Sequence, residues 1–177
     1  KKAIWSALRD DDLYHLATKA AILTGSRPKE IFQAKRSGFS IENDVMTWRK
    51  SYQITKSKRA HSVVLSDLAK EVVQKAMVIS NEWKNNPFLF PARRSRSGHI
   101  EGVRHIWRDL IKELDLDLRF YDMRKTFATN LLEAGVDIAT IMQLTGHTQP
   151  STLLKHYAFS REGLQVEALS KLNQDLR

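Results

Sequence analysis

A chain of 177 residues, 42% hydrophobic and 28% charged, is long enough for one domain with a sizeable core and has an ordinary globular composition. It has no cysteine, which excludes disulfides and thiolate metal sites, and no apolar run approaches the roughly twenty residues that span a bilayer. Lys plus Arg number 29 against 20 Asp plus Glu, and the resulting net charge of +9 favours a polyanionic partner, nucleic acid first. No secretory signal pattern is present. The chain opens on Lys1-Lys2 instead of Met, so it is expected to be a fragment of a longer protein.

In chain order, Asp10-Asp11-Asp12 offers a cap and acidic first-turn charge to a first helix, with Leu13, Leu16, Ala17, Ala20 and Ala21 on one face and Gly25 as terminator. Ser26 is the expected cap of a second, short helix with Pro28 in its first turn. Arg27 then falls at a helix–helix junction, where side chains can converge on a ligand.

Between positions 39 and 65 the texture turns to short β signals. Phe39-Ser40-Ile41 is followed by a turn at Glu42-Asn43-Asp44, then Val45-Met46-Thr47-Trp48, and later His61-Ser62-Val63-Val64-Leu65. These predict a small three-stranded antiparallel sheet. The connection Thr55-Lys56-Ser57-Lys58-Arg59 is basic, and by itself reads as a solvated hairpin tip.

Ser66 is placed to cap a helix over 67–79 with Leu68, Val72, Ala76 and Ile79 on a stripe. Asn85-Asn86-Pro87 breaks the chain, and the loop 91–98 carries Arg93, Arg94 and Arg96, suited to DNA phosphates or to open solvent. Val103, Ile106, Trp107, Leu110, Ile111 and Leu114 trace the clearest amphipathic helix. Further helices are expected over 121–134, 137–145, 151–156 and 162–176. The last carries Leu164, Ala168 and Leu172 on one stripe. The fold class predicted is α+β, mainly helical, with one small antiparallel sheet in a single domain spanning 1–177.

Chemistry concentrates in a few places. Arginine supplies a planar, permanently charged fork that matches phosphate geometry. Lysine or histidine can protonate a leaving oxygen. Tyrosine offers an oxygen nucleophile whose phosphate ester conserves bond energy. No acidic cluster suggests a two-metal site. His15, His61, His99, His105 and His156 show no ligand spacing.

Together, Thr24-Gly25-Ser26-Arg27-Pro28-Lys29-Glu30-Ile31, Thr55-Lys56-Ser57-Lys58-Arg59, Tyr121-Asp122-Met123-Arg124, Leu144-Thr145-Gly146-His147 and Tyr157 resemble, in order, the motifs of the tyrosine recombinases of the phage-integrase family. The resemblance covers most of the chain. It implies Arg27, Arg124 and His147 as phosphate-binding groups and Glu30 as their support. Lys56 is implied as the general acid, with Lys58 as competing candidate, and Tyr157 as nucleophile. Lys58, Arg59, Arg93, Arg94 and Arg96 become candidate DNA contacts. It further implies site-specific cleavage and rejoining of double-stranded DNA with no cofactor and no metal. The assembly implied is a tetramer on paired DNA sites and a monomer away from DNA. Accessory DNA-bending proteins are candidate partners, upstream DNA-binding domains are expected, and the setting is the bacterial cytoplasm and nucleoid.

Two departures stand out. Tyr121 occupies the position of the family's first histidine, and a phenol of pKa about 10 is a poor base at neutral pH. Tyr157 lies one residue further from His147 than the family's usual spacing. Two other readings remain open from the residues alone. One is a non-catalytic helix-turn-helix module built on Val136 to His147 and Ser151-Thr152-Leu153; the other is an enzyme like the type IB topoisomerases.

Overall fold

The structure is a computed structural model that describes residues 2–154. Tyr157, His156 and the helix expected over 162–176 lie outside the described residues.

The helix starting at the aspartates forms as α2, Leu13–Thr24, but a short helix, α1 (Lys2–Ala7), precedes it. The capper of α2 is Asp12, whose carboxylate accepts from the N–H groups of Tyr14 and His15. Asp10 does something else: it pairs with Lys19 of α2 and with Lys75 of α4 (Asp67–Ser80), tying the two helices together. Gly25 ends α2 in the left-handed region, φ 57°. Next comes α3 (Pro28–Phe32), whose N-cap is Arg27 and not Ser26. The Ser26 hydroxyl is used elsewhere, as described below.

Three antiparallel strands follow, β1 (Phe39–Glu42), β2 (Val45–Lys50) and β3 (His61–Val64), in spatial order β1-β2-β3. The register sets Trp48 opposite both Phe39 and Val63, and Lys50 opposite His61. Alternation along β2 sends Met46, Trp48 and Lys50 inward. The core between sheet and helices joins these to Leu16, Ala17 and Ala20 of α2, Ile31 of α3, and Val72, Val73 and Ala76 of α4. Leu68, placed on the buried stripe by sequence, is 43% exposed, and Ala69 and Val73 take the inward positions. Arg36, just before β1, donates to the carbonyls of Ser80, Asn86 and Phe88, which closes the end of α4 onto the following loop.

α5 (Arg104–Glu113) packs Trp107 and Leu110 against Ile4 and Leu8 beside α1, with Met123 of α6 (Asp122–Glu133). Phe120 links this cluster to the first core: its ring stacks on Phe32 at 6.4 Å and meets Trp107 edge-on at 5.3 Å. A third cluster joins Ala128 of α6, Ile141 of α7 (Ile138–Thr145) and Leu153 of α8 (Pro150–Leu154). Asp137 caps α7 through the Thr140 N–H, and Gly146 ends it at φ 70°. The result is the mainly helical α+β arrangement with one three-stranded sheet that the sequence predicts. Among the described residues no helix is long and apolar enough to cross a membrane.

Candidate active site

Four chain segments far apart in sequence meet at the junction of α2 and α3. Arg27 leaves the chain in an extended conformation, φ −66° and ψ 144°, just before Pro28 starts α3. Its Nη1 donates to Glu30 Oε1 at 2.9 Å, and its Nη2 reaches the Gly146 carbonyl at the end of α7, 3.4 Å away. Arg124, on the first turn of α6, is only 4% exposed. Its Nη1 donates to the Gly25 carbonyl at 2.7 Å and its Nη2 to His147 Nε2 at 3.1 Å. The helix terminators are therefore part of the site, because both arginines lean on carbonyls that a left-handed cap turns outward.

The His147 ring is oriented from both sides. Thr145 Oγ1 lies 2.7 Å from Nδ1 and itself donates to the Ile141 carbonyl at 2.6 Å. With that hydroxyl hydrogen committed, Nδ1 carries the imidazole proton and donates to Thr145, leaving Nε2 as the acceptor facing Arg124. A cavity of about 300 Å³ opens over this cluster, lined by Arg27, Lys56, Ser57, Gly146, His147 and neighbouring residues. A second, of about 360 Å³, adjoins it and brings in Glu30, Thr55, Arg59 and His61. A third cavity, about 450 Å³, lies by Gln33, Trp48, Arg49 and Phe88 and contains none of the cluster. Chemistry and not volume selects the site.

Lys56 sits on the 51–60 hairpin between β2 and β3, exposed at the rim. Thr55 fixes the turn beneath it by donating to the Arg59 carbonyl at 2.7 Å, and Lys58 stands at the tip with φ 55°. The hairpin base is docked by His61, whose Nε2–H donates to the Gln143 carbonyl in the last turn of α7. Burial pushes the His61 pKa down, helped by the cations Lys50 and Arg124; the Gln143 hydrogen bond and Glu30 act the other way.

Beneath Arg27 lies a group that the sequence reading missed. Lys50 is fully buried; its ammonium donates to Ser26 Oγ at 2.8 Å and Glu30 Oε2 at 3.0 Å and sits 4.5 Å over the Trp48 ring. Burial alone raises the Glu30 pKa, but attraction to Lys50 and hydrogen bonds from Lys50 and Arg27 outweigh it and hold the carboxyl below its ordinary range. Lys50 is pushed down by burial, against the pull of Glu30. Burial is the main effect on the lysine, with Arg124 and Arg27 adding to it as like charges, whereas the cations around Glu30 overcome the burial of the carboxyl. The signal was available: Met46, Trp48 and Lys50 continue one alternation, and a lysine on the inward register of a strand requires a buried carboxylate.

Not every candidate joins the cluster. Tyr121 precedes α6 with its side chain 50% exposed and lines neither cavity. Arg93, Arg94 and Arg96 lie on a separate, exposed loop, where Arg93 stacks over Trp83. Tyr157 lies outside the described residues. Among those described, no group of three or more His, Cys, Asp or Glu side chains is placed to hold a metal ion.

A half-buried and a buried arginine, Arg27 and Arg124, meet a histidine beside a lysine-bearing hairpin on this mixed fold, an arrangement suited to a phosphate. The chain belongs to the phage integrase family, whose model matches residues 3–163. Over 83 residues it is 31% identical to tyrosine recombinase XerC of Staphylococcus aureus (strain USA300 / TCH1516), a stretch that is 46% of this chain and 28% of that protein. The crystal structure of XerA recombinase superposes with a TM-score of 0.74 at 20% identity, covering 96% of this chain and 60% of that one. XerH site-specific recombinase bound to its difH substrate before cleavage gives 0.67 at 20% identity, covering 88% and 44%. The two structures share the fold, and the chain spans only part of each of these relatives.

Proposed function

We propose that this chain is the catalytic part of a site-specific DNA recombinase that cuts and rejoins DNA through a 3′-phosphotyrosyl intermediate. The observation that carries the reading is the linkage of Arg124 to His147, and of Arg27 to the adjoining Gly146, at a cavity lined by Arg27, His147 and Lys56. The two fixed guanidinium cations suit the non-bridging oxygens of a phosphodiester and suit its pentavalent phosphorane better, because the second negative charge develops there.

In the reaction proposed, Tyr157 Oη attacks phosphorus and passes its phenolic proton to His147 Nε2, which exchanges its hydrogen bond from Arg124 for that proton. The new O–P bond forms as the bond from phosphorus to the 5′ oxygen breaks, and Lys56 gives that oxygen a proton. A 5′ hydroxyl from a partner strand then attacks the phosphotyrosyl ester, releasing Tyr157 and restoring the diester. Lys58 and Arg59 would contact flanking phosphates from the hairpin, and Arg93, Arg94 and Arg96 a more distant stretch. Tyr121 would serve as a hydrogen-bond donor to the DNA backbone, since its exposed ring lies outside the arginine cluster. Exchange between two duplexes uses four such sites, so the working form proposed is a tetramer on DNA in the bacterial cytoplasm, with further DNA-binding domains upstream.

Covalent capture tests this. A pool of duplexes with randomised sequence, each nicked so that the cleaved end diffuses away, is incubated with the protein in EDTA. The expected result is a denaturation-resistant protein–DNA adduct enriched for one sequence. DNA binding without any adduct would leave a binding module and refute the enzymatic reading.

A further inference from the structure

We infer that Lys50 is a positioning residue for Arg27, acting through Glu30 to keep one face of the Arg27 guanidinium turned to the cavity. The inference rests on the recombinase reading for its functional meaning, and on the geometry beneath Arg27 for its mechanism.

An arginine fork and a carboxylate match each other in two parallel hydrogen bonds. Left to themselves, Arg27 and Glu30 are three residues apart across the start of α3 and would close into such a pair, with both terminal nitrogens of Arg27 consumed. Lys50 prevents this by occupying Glu30 Oε2 at 3.0 Å from below. Only Oε1 is left for Arg27, which reaches it through Nη1 at 2.9 Å. Nη2 is thereby held on the other side, towards the Gly146 carbonyl on the cavity wall. Ser26 Oγ, at 2.8 Å, fixes the ammonium in place, and that is the use of the serine expected to cap α3.

The energetics point the same way. A buried ion pair is a weak source of stability, and an apolar side chain of similar size often serves the fold as well. The inward positions before Lys50 on the strand, Met46 and Trp48, are of that kind. A cation here is expensive and also repels its neighbours Arg27 and Arg124. What it adds is local charge: Lys50, Arg27 and Arg124 against the single carboxylate of Glu30 leave an excess of two positive charges, the complement of a dianionic phosphorane.

The test uses the full chain and the duplex recovered by covalent capture. Lys50→Met should lower the trapping rate at saturating DNA by about 100-fold while DNA affinity changes by less than about threefold, the pattern of a lost transition-state contact. Adding Glu30→Gln removes the carboxylate that would capture Arg27, and the double variant should regain at least about tenfold over Lys50→Met. A merely structural role predicts otherwise: activity would follow the folded fraction in a thermal melt, with no recovery in the double variant. That result, or an unchanged rate in Lys50→Met, overturns the inference. If Lys50→Met does not fold, Lys50→Gln, which keeps an N–H for Oε2 and loses only the charge, is expected to trap within about tenfold of wild type, and a loss of about 100-fold or more in the folded variant overturns the inference equally. Should the wild-type protein trap no duplex, the recombinase reading fails on its own account. The Lys50 assignment is then read on the protein alone, from the ¹⁵N–¹H signals of the Arg27 guanidinium. They should move in Lys50→Met and return in the double variant; signals that stay put contradict it.

Discussion

Gly25 illustrates how single residues carry this site. Its φ of 57° disfavours any side chain, and a Cβ there would lie 2.3 Å from the Phe127 ring of α6. Its carbonyl meanwhile holds Arg124 Nη1. Gly25→Ala should therefore cost about 2–4 kcal/mol, from left-handed strain plus overpacking, and should slow trapping further by shifting Arg124; a thermal melt and a single-turnover assay read the two effects separately. Tyr121→Phe should be far milder than Arg124→Ala, since its side chain stands outside the cluster while Arg124 touches two parts of it. Parity between the two in the trapping assay would move Tyr121 into the chemistry. Arg27 and Arg124 were legible in sequence because Gly25, Pro28 and the helix start at Asp122 announce their positions. Lys50 was harder to read, because the β signal in the sequence is clear only to Trp48 and its carboxylate partner lies in another element.

Among the elements, the 51–60 hairpin is held by a titratable anchor. His61 meets the α7 carbonyl of Gln143 from β3, with Lys50 of β2, Glu30 of α3 and Arg124 of α6 facing it electrostatically. A Cβ at Gly146 would also crowd its ring at 3.1 Å, so the α7 terminus is shaped to receive it. Because the folded-state pKa is depressed, the stabilisation from neutral His61 is fully present above the ordinary value of 6.5 and is lost as pH falls through the lower, folded value. Hydrogen exchange at the hairpin amides should accelerate relative to the core as pH drops from about 7.5 to about 5, after correction for intrinsic rates. His61→Gln, which keeps an N–H donor without titrating, should abolish that dependence; its persistence would place the switch elsewhere. The larger helices were readable from caps and periodicity, Asp12 and Ser66 each accepting the bonds expected of them. α1 was not, having no side-chain cap signal; it is held by contacts of Ile4 with α5, which only the tertiary structure supplies.

For the whole molecule, a net charge of +9 predicts weak, steeply salt-dependent attraction to duplex DNA, set by phosphates and not by sequence. Affinity measured at two salt concentrations should fall sharply with salt, and an insensitive affinity would contradict a phosphate-dominated interface. The fold class was legible because hydrophobic pattern and turn chemistry agree along most of the chain. The assembled site was only partly so: order along the chain named its members, but not which helix ends would hold them. Peptide mapping of a trapped adduct tests the tyrosine chemistry of this site most directly. The adduct is expected on Tyr157, and Tyr157→Phe should bind DNA nearly as wild type while forming none. An adduct on Tyr121, or undiminished trapping by Tyr157→Phe, would contradict the mechanism.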